Sequence, residues 1–185
     1  MRMSQEEKDK SHARIVASAA RLFRERGLEG ASVGDVMKDA GMTHGGFYKH
    51  FESKDALVET ALDSAFSEFV SGLSRGQAEE AFATYRALYL SDDHRAQPGI
   101  GCPVAALGTE IARGSASLKR AFGGGVRRMV DAIAVTRKGS ATARRTAALR
   151  EFSMLVGAMV IARASDPEMA GEVLTACGGE MRNVQ

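Results

Sequence analysis

The 185-residue chain is poor in cysteine, poor in proline and nearly without net charge, and each shortage excludes something. Two cysteines, Cys102 and Cys177, are too few for a disulfide framework or a multi-thiolate zinc site, so both are expected as free thiols. The three prolines, Pro98, Pro103 and Pro167, leave everything before Pro98 without an obligate helix breaker. Lys and Arg number 25 against 23 Asp and Glu, and the resulting +2 argues against a charge-neutralising coat on nucleic acid or a polybasic membrane binder. No segment reaches the ~20 apolar residues of a membrane span. Met1 to Ser11 carries no apolar stretch of the secretory-signal kind, which makes the cytoplasm the expected location. A hydrophobic content of 44% suffices for a packed core.

The apolar spacing is helical throughout. Ile15, Ala19, Leu22 and Phe23 form one stripe of a helix that Gly27 should terminate in the left-handed conformation. Val33, Val36, Met37 and Ala40 repeat the pattern over a shorter helix ending at Gly41, with Ser32 as N-cap and Asp35 completing a capping box. Thr43 is expected to cap a third short helix carrying Phe47 and Phe51, and Ser53 a fourth that begins at Lys54. That fourth helix runs long, through Val58, Leu62, Ala65, Phe66 and Phe69, and another is expected over Ala78 to Tyr89. Turn chemistry makes Ser91 to Gly101 a loop, after which Pro103 opens a helix to about Ala112. The next helix carries Leu118, Phe122, Val126, Met129, Val130 and Ile133. Gly123, Gly124 and Gly125 lie inside it, each costing roughly 1 kcal/mol relative to Ala, so both a break and a continuous helix are open there. A polar loop from Arg137 to Thr142, a helix over about Ala143 to Arg163, and a last one starting at Pro167 complete an all-α chain.

The chemistry is concentrated between Ser32 and Leu57. Two short helices joined by Ala40-Gly41-Met42 have the spacing of a helix-turn-helix. On the second helix Phe47 and Phe51 point to the core, leaving Thr43, His44, Gly45, Gly46, Tyr48, Lys49 and His50 on the other face. Paired glycines weaken a helix that only packs, but they allow close approach to a base edge or phosphate. Tyr48 can donate to a phosphate, and Lys54 sets a cation beside the free N–H groups of a helix start. His44 and His50 are wrongly spaced to share a helical face as metal ligands, and no metal or other cofactor is expected.

Residues 43 to 57, THGGFYKHFESKDAL, resemble the signature of the TetR family of bacterial transcriptional regulators, of the AcrR-like kind. IVASAARLFRERG and ASVGDVMKDAG upstream fit the same family's first two helices, so the resemblance covers roughly residues 13 to 60. It implies an all-α homodimer with a helix-turn-helix DNA-binding domain over 1–55 and a helical effector-binding and dimerisation domain over 56–185. It implies a repressor of a palindromic operator, released by a small molecule, and not an enzyme. By the resemblance Thr43, His44, Gly45, Gly46, Tyr48 and Lys49 are base and backbone contacts, and Ser32, Val33, His50 and Lys54 phosphate contacts.

In the C-terminal part, Phe152 to Ala162 is apolar on all sides and too short to span a bilayer. One face is expected in the subunit's own core and the other, with Gly157, Ala158 and Ala162, on a partner; a fully buried central helix is the alternative. The resemblance places the dimer interface in the last two helices. Phe66, Phe69, Tyr85, Tyr89, Cys102, Leu107, Ile111, Phe122, Met129 and Phe152 lie on helices that enclose the effector cavity in relatives, and would suit a mostly apolar small molecule. For each of them plain core is the stronger competing role. Cys102 precedes a helix N-terminus, where the dipole should lower its pKa and suit it to sensing oxidants or electrophiles; a small apolar filler is the competing role. A thiol enzyme would need a base, and of His12, His44, His50 and His94 only His94 adjoins Cys102, with no recognisable acid–His–Cys spacing.

Overall fold

A computed structural model describes residues 5–73 and 78–178 of the chain, and among the described residues every regular element is helical. The order is α1 (Gln5–Gly30), α2 (Val33–Asp39), a 3₁₀ turn (His44–Lys49), α3 (Lys54–Leu73), α4 (Ala78–Tyr89), α5 (Asp92–Ala96), a second 3₁₀ turn (Pro98–Ile100), α6 (Pro103–Ile111), α7 (Ala116–Ala134), α8 (Ala141–Ala164) and α9 (Pro167–Ala176).

The local signals near the N-terminus act as expected. Gly27 takes φ 78° and breaks the helical path of α1, while Ile15, Ala19, Leu22 and Phe23 are fully buried. Ser32 and Asp35 form a reciprocal capping box on α2, and Gly41 turns the chain at φ 70°. Ser53 accepts the Ala56 amide at 3.1 Å and opens α3. The third helix differs: it is a 3₁₀ turn, and the Thr43 side chain makes no cap bond. Two glycines in six residues remove the propensity an α-helix would need there, whereas Phe47 and Phe51 still anchor the turn in the core.

α3 is the spine of the molecule, packing on α1 at one end and on α7 along its length. The glycine triplet does not break α7. Gly125 is instead where α7 meets Phe66 of α3, so close that a Cβ there would overlap the Phe66 ring. Ser91 to Gly101 is not a simple loop. Ser91 caps α5 through the His94 amide, and Pro98 starts the second 3₁₀ turn, so turn chemistry here nucleates short helices. α8 begins two residues earlier than the apolar pattern alone indicates, because Ser140 caps it at Ala143.

On α8, Phe152, Leu155, Ala158, Met159 and Ala162 face the subunit's own core. Ala158 and Ala162, expected on a partner-facing side, are therefore core residues. The exposed apolar side chains of α8 are Leu149, Val160 and Ile161, a Cβ at Gly157 would meet nothing within 4 Å, and Met169 of α9 is exposed as well.

Candidate nucleic-acid interface and effector cleft

The 3₁₀ turn divides its side chains by burial. Phe47 is buried and stacks on Phe51 at 5.8 Å, while Thr43, His44, Gly45, Tyr48 and Lys49 are exposed and Gly46 is half-buried. Tyr48 has 73% of its surface in solvent, an exposure for which a core role gives no account. α2 supplies the neighbouring edge: Ser32 is exposed, but its hydroxyl is engaged by Asp35, so at Ser32 and Val33 the helix-start backbone is what remains to be offered.

Two expected phosphate contacts are placed differently. The Lys54 ammonium turns inward, donating to the Leu28 carbonyl and lying 6.0 Å over the Phe23 ring; it closes the frayed end of α1. His50 has both ring nitrogens withdrawn from water without a partner, its ring 6.0 Å from that of His12, which itself stacks on Phe51 at 4.7 Å. Burial lowers the His50 pKa, and the nearby His12, Lys8 and Lys49 lower it further. Both corrections share a cause: long-range packing claims a polar side chain that the local pattern leaves free.

The body of the molecule contains an apolar cleft of about 580 Å³ including its open mouth, lined by Phe69, Tyr85, Leu88, Tyr89, Ser91, Asp93, His94, Gln97 and Ile100. Of the expected pocket residues it brings together Phe69, Tyr85 and Tyr89. Phe66, Leu107, Ile111, Met129 and Phe152 are plain core, and Phe122 packs edge-on against Phe66 at 5.8 Å. Cys102 lies behind the cleft, 1% exposed. Burial pushes its thiol pKa up despite the helix N-terminus, against help from Tyr89 and the α6 amides, so the dipole argument for a reactive thiolate fails on desolvation.

The sequence sets His94 near Cys102 but does not show how Tyr89, His94 and Cys102 are bonded together. His94 Nδ1 donates to the Tyr89 carbonyl at 2.6 Å, which leaves Nε2 to accept the Cys102 amide at 3.0 Å. That arrangement requires a neutral ring, and burial lowers the His94 pKa, with Arg163 and Arg24 acting in the same direction. A depressed folded-state pKa means this stability is present above the unfolded value of about 6.5 and is lost as pH falls through the lower folded value. His50 contributes with the same sign. His94→Gln is therefore expected to flatten the decline in melting temperature between pH 7 and about pH 5, measured by differential scanning fluorimetry; an unchanged slope would place the pH dependence elsewhere.

Hydrogen bonds among the described residues help tie the N-terminal helices to the rest of the molecule. Glu110 of α6 accepts the Leu28 amide at 2.7 Å, Arg24 of α1 donates to the Gly101 carbonyl at 3.0 Å, and Ser115 donates to Asp55 at 3.0 Å. Of these residues Arg24 gives one sequence signal, a charge embedded in the apolar stripe of α1.

Residues 15–61 match the family model for "Bacterial regulatory proteins, tetR family". The transcriptional regulator TtgR of Pseudomonas putida is 38% identical over 64 residues, 35% of this chain and 30% of that protein. The transcriptional repressor KstR2 of Rhodococcus jostii is 36% identical over 73 residues, 40% of this chain and 30% of that protein. The matched stretch thus spans about a third of these curated relatives. Likeness of the whole fold is broader. The reduced form of NemR from E. coli superposes with a TM-score of 0.74 at 20% identity, covering 91% of this chain and 95% of that one. A TetR-family regulator from Cytophaga hutchinsonii gives 0.73 at 20% identity, covering 96% and 94%.

Proposed function

From the match of residues 15–61 to the family model for bacterial regulatory proteins of the tetR family, we propose that this chain is a DNA-binding transcriptional repressor of that family whose N-terminal unit, up to the start of α3, reads a palindromic operator. The observation that carries this is the His44–Lys49 turn, which buries Phe47 and holds Tyr48, Lys49 and the backbone of Gly45 outward. Thr43, His44, Gly45, Gly46, Tyr48 and Lys49 enter the major groove. Ser32, Val33 and Lys54 meet phosphates through helix-start amides, and His50 supports the turn from behind.

An electrophoretic mobility shift with DNA flanking the chain's own gene tests this, and no shift at low salt would overturn it. The salt dependence separates the two lysines. Lys49→Ala is expected to reduce the slope of log K against log salt by about one unit for each phosphate that the ammonium neutralises. Lys54→Ala should leave the slope unchanged and cost about 1 kcal/mol of stability, since its ammonium caps α1.

The functional unit in this proposal is a homodimer joined through α8 and α9, which sets two recognition turns about one DNA turn (~34 Å) apart. The exposed Leu149, Val160, Ile161 and Met169 support it, as does the open space over Gly157, where two helices can approach closely. A charge there would be buried unpaired on both sides of a two-fold axis. Val160→Glu is expected to yield monomers by analytical ultracentrifugation and to abolish high-affinity operator binding; a dimer of unchanged stability would exclude this face.

Release follows occupation of the cleft beneath α4 and α5 by a small, mostly apolar effector. The contacts of Arg24 and Leu28 with Gly101 and Glu110 would pass a shift of α6 to α1, biasing the dimer toward a spacing that fits the two grooves poorly.

A further inference from the structure

Buried polar groups in folded proteins nearly always have partners, so those without one mark where something else can complete them. Three such atoms are Tyr85 Oη and Tyr89 Oη, on side chains that line the cleft, and Arg163 Nη1, whose side chain does not line it but bonds the backbone of the lining residue His94. The Tyr89 ring lies 5.7 Å from that of Tyr85 and 4.6 Å from that of His94. Tyr89 is 2% exposed, and its hydroxyl has only the Cys102 thiol, a weak partner, beside it. Arg163 spends Nε and Nη2 on the carbonyls of Arg95 and His94, at 3.2 and 2.7 Å, and Nη1 on nothing.

The charge balance of this place is one-sided. Among the described residues no carboxylate comes within ion-pair distance of Arg163, and the carboxylates that act on buried Arg24 are Glu68, 3.8 Å away and largely in water, and more weakly Glu25. The N-terminus of α6 at Cys102, with no side-chain cap bond, adds its own positive end. Burial holds both tyrosines protonated and Cys102 a thiol, so none of them supplies a negative charge. Asp93, the acid on the cleft lining, sits at the exposed rim. Tyrosine donors and a buried positive field thus lie inward, and apolar side chains, exposed Leu88 and Ile100 among them, lie at the mouth.

We propose that this cleft binds an aromatic carboxylate, its ring held among Phe69, Leu88 and Ile100 and its carboxylate drawn inward to the Tyr85 and Tyr89 hydroxyls in the field of Arg163. The proposal rests on the effector reading of the cleft and specifies the ligand class. A purely apolar ligand would leave the two hydroxyls unsatisfied, and an amine would meet the field of two guanidinium groups. A phosphate ester would bring more charge than an apolar cleft with two neutral donors can desolvate.

Isothermal titration of the full-length protein with naphthoate, naphthamide and naphthylmethylamine tests it. Naphthoate is expected to bind at least about tenfold more tightly than naphthamide, and the amine more weakly than either. The Tyr85→Phe/Tyr89→Phe double variant, which keeps both rings, is expected to bind naphthoate about 10- to 100-fold more weakly. Arg163→Met should bring the acid and amide affinities together, and Arg163→Lys should restore the preference for the acid. Equal binding of acid and amide by the unaltered protein, no binding of naphthoate, or an unaffected double variant would each overturn the assignment. Mobility shift separates this from the effector reading. Naphthoate that binds while operator complexes persist would sink effector release and leave the ligand class standing, whereas failure to bind would remove the ligand class alone.

Discussion

Gly45→Glu is expected to leave the fold intact and weaken operator binding by more than about a hundredfold. A Cβ at Gly45 meets nothing within 4 Å, and the residue has no positive φ, so the side chain costs the subunit little. The same openness makes the position available to DNA. A carboxylate there would meet the phosphate field and hold the backbone away from the base edges. The loss per half-site is about 1–3 kcal/mol for a good contact, and a dimer carries the lesion twice. Fluorescence anisotropy of the operator complex, beside a melting curve, measures both halves of the expectation. Binding unchanged by Gly45→Glu would mean that this turn does not enter a groove.

Gly125→Val should do the reverse, unfolding the body rather than blocking its surface. A Cβ at Gly125 would fall inside the van der Waals envelopes of Phe66 Cδ2, Cε2 and Cγ at once. Phe66 is fully buried and packed edge-on against Phe122, so it has nowhere to retreat. Ordinary overpacking costs about 1–3 kcal/mol, and this collision at the junction of α3 and α7 is expected to reach or exceed the upper end. Its neighbours provide the control. At Gly123 and Gly124 a Cβ meets only the flexible end of Arg127, at 3.7 and 4.0 Å, so Ala at either should stabilise α7 by up to about 1 kcal/mol. Chemical denaturation of the three variants tests the contrast, and a Gly125→Val protein as stable as the parent would refute the close packing of these helices.

The glycine triplet shows why some of the fold was legible and some was not. Propensity says that three glycines weaken a helix, and that holds for each of them. It cannot say that one of the three is the contact point between α7 and α3, because that depends on which residue of another helix arrives opposite. Lys54 is the same lesson in the candidate interface. Its place at the start of α3 is plain from Ser53-Lys54-Asp55, but the ammonium is taken by Leu28, 26 residues earlier. His50 follows the same rule, held by its position against His12.

The bare charge sum pointed to no partner, with ten basic and nine acidic residues through Asp55 and fifteen and fourteen beyond. What the sequence by itself determined is what short-range physics governs: helical periodicity, the caps at Ser32 and Ser53, the glycine turns at Gly27 and Gly41, and the division of the His44–Lys49 segment into a buried and an offered face. Each depends on residues within about one helical turn of each other. Only the tertiary structure decided the rest. The contacts of Arg24 with Gly101, Leu28 with Glu110 and Arg163 with His94 join residues 77, 82 and 69 positions apart. No local pattern encodes such meetings, because they exist only once apolar burial has fixed how α1, α5, α6 and α8 cross; the polar side chains then take what partners the packing leaves them.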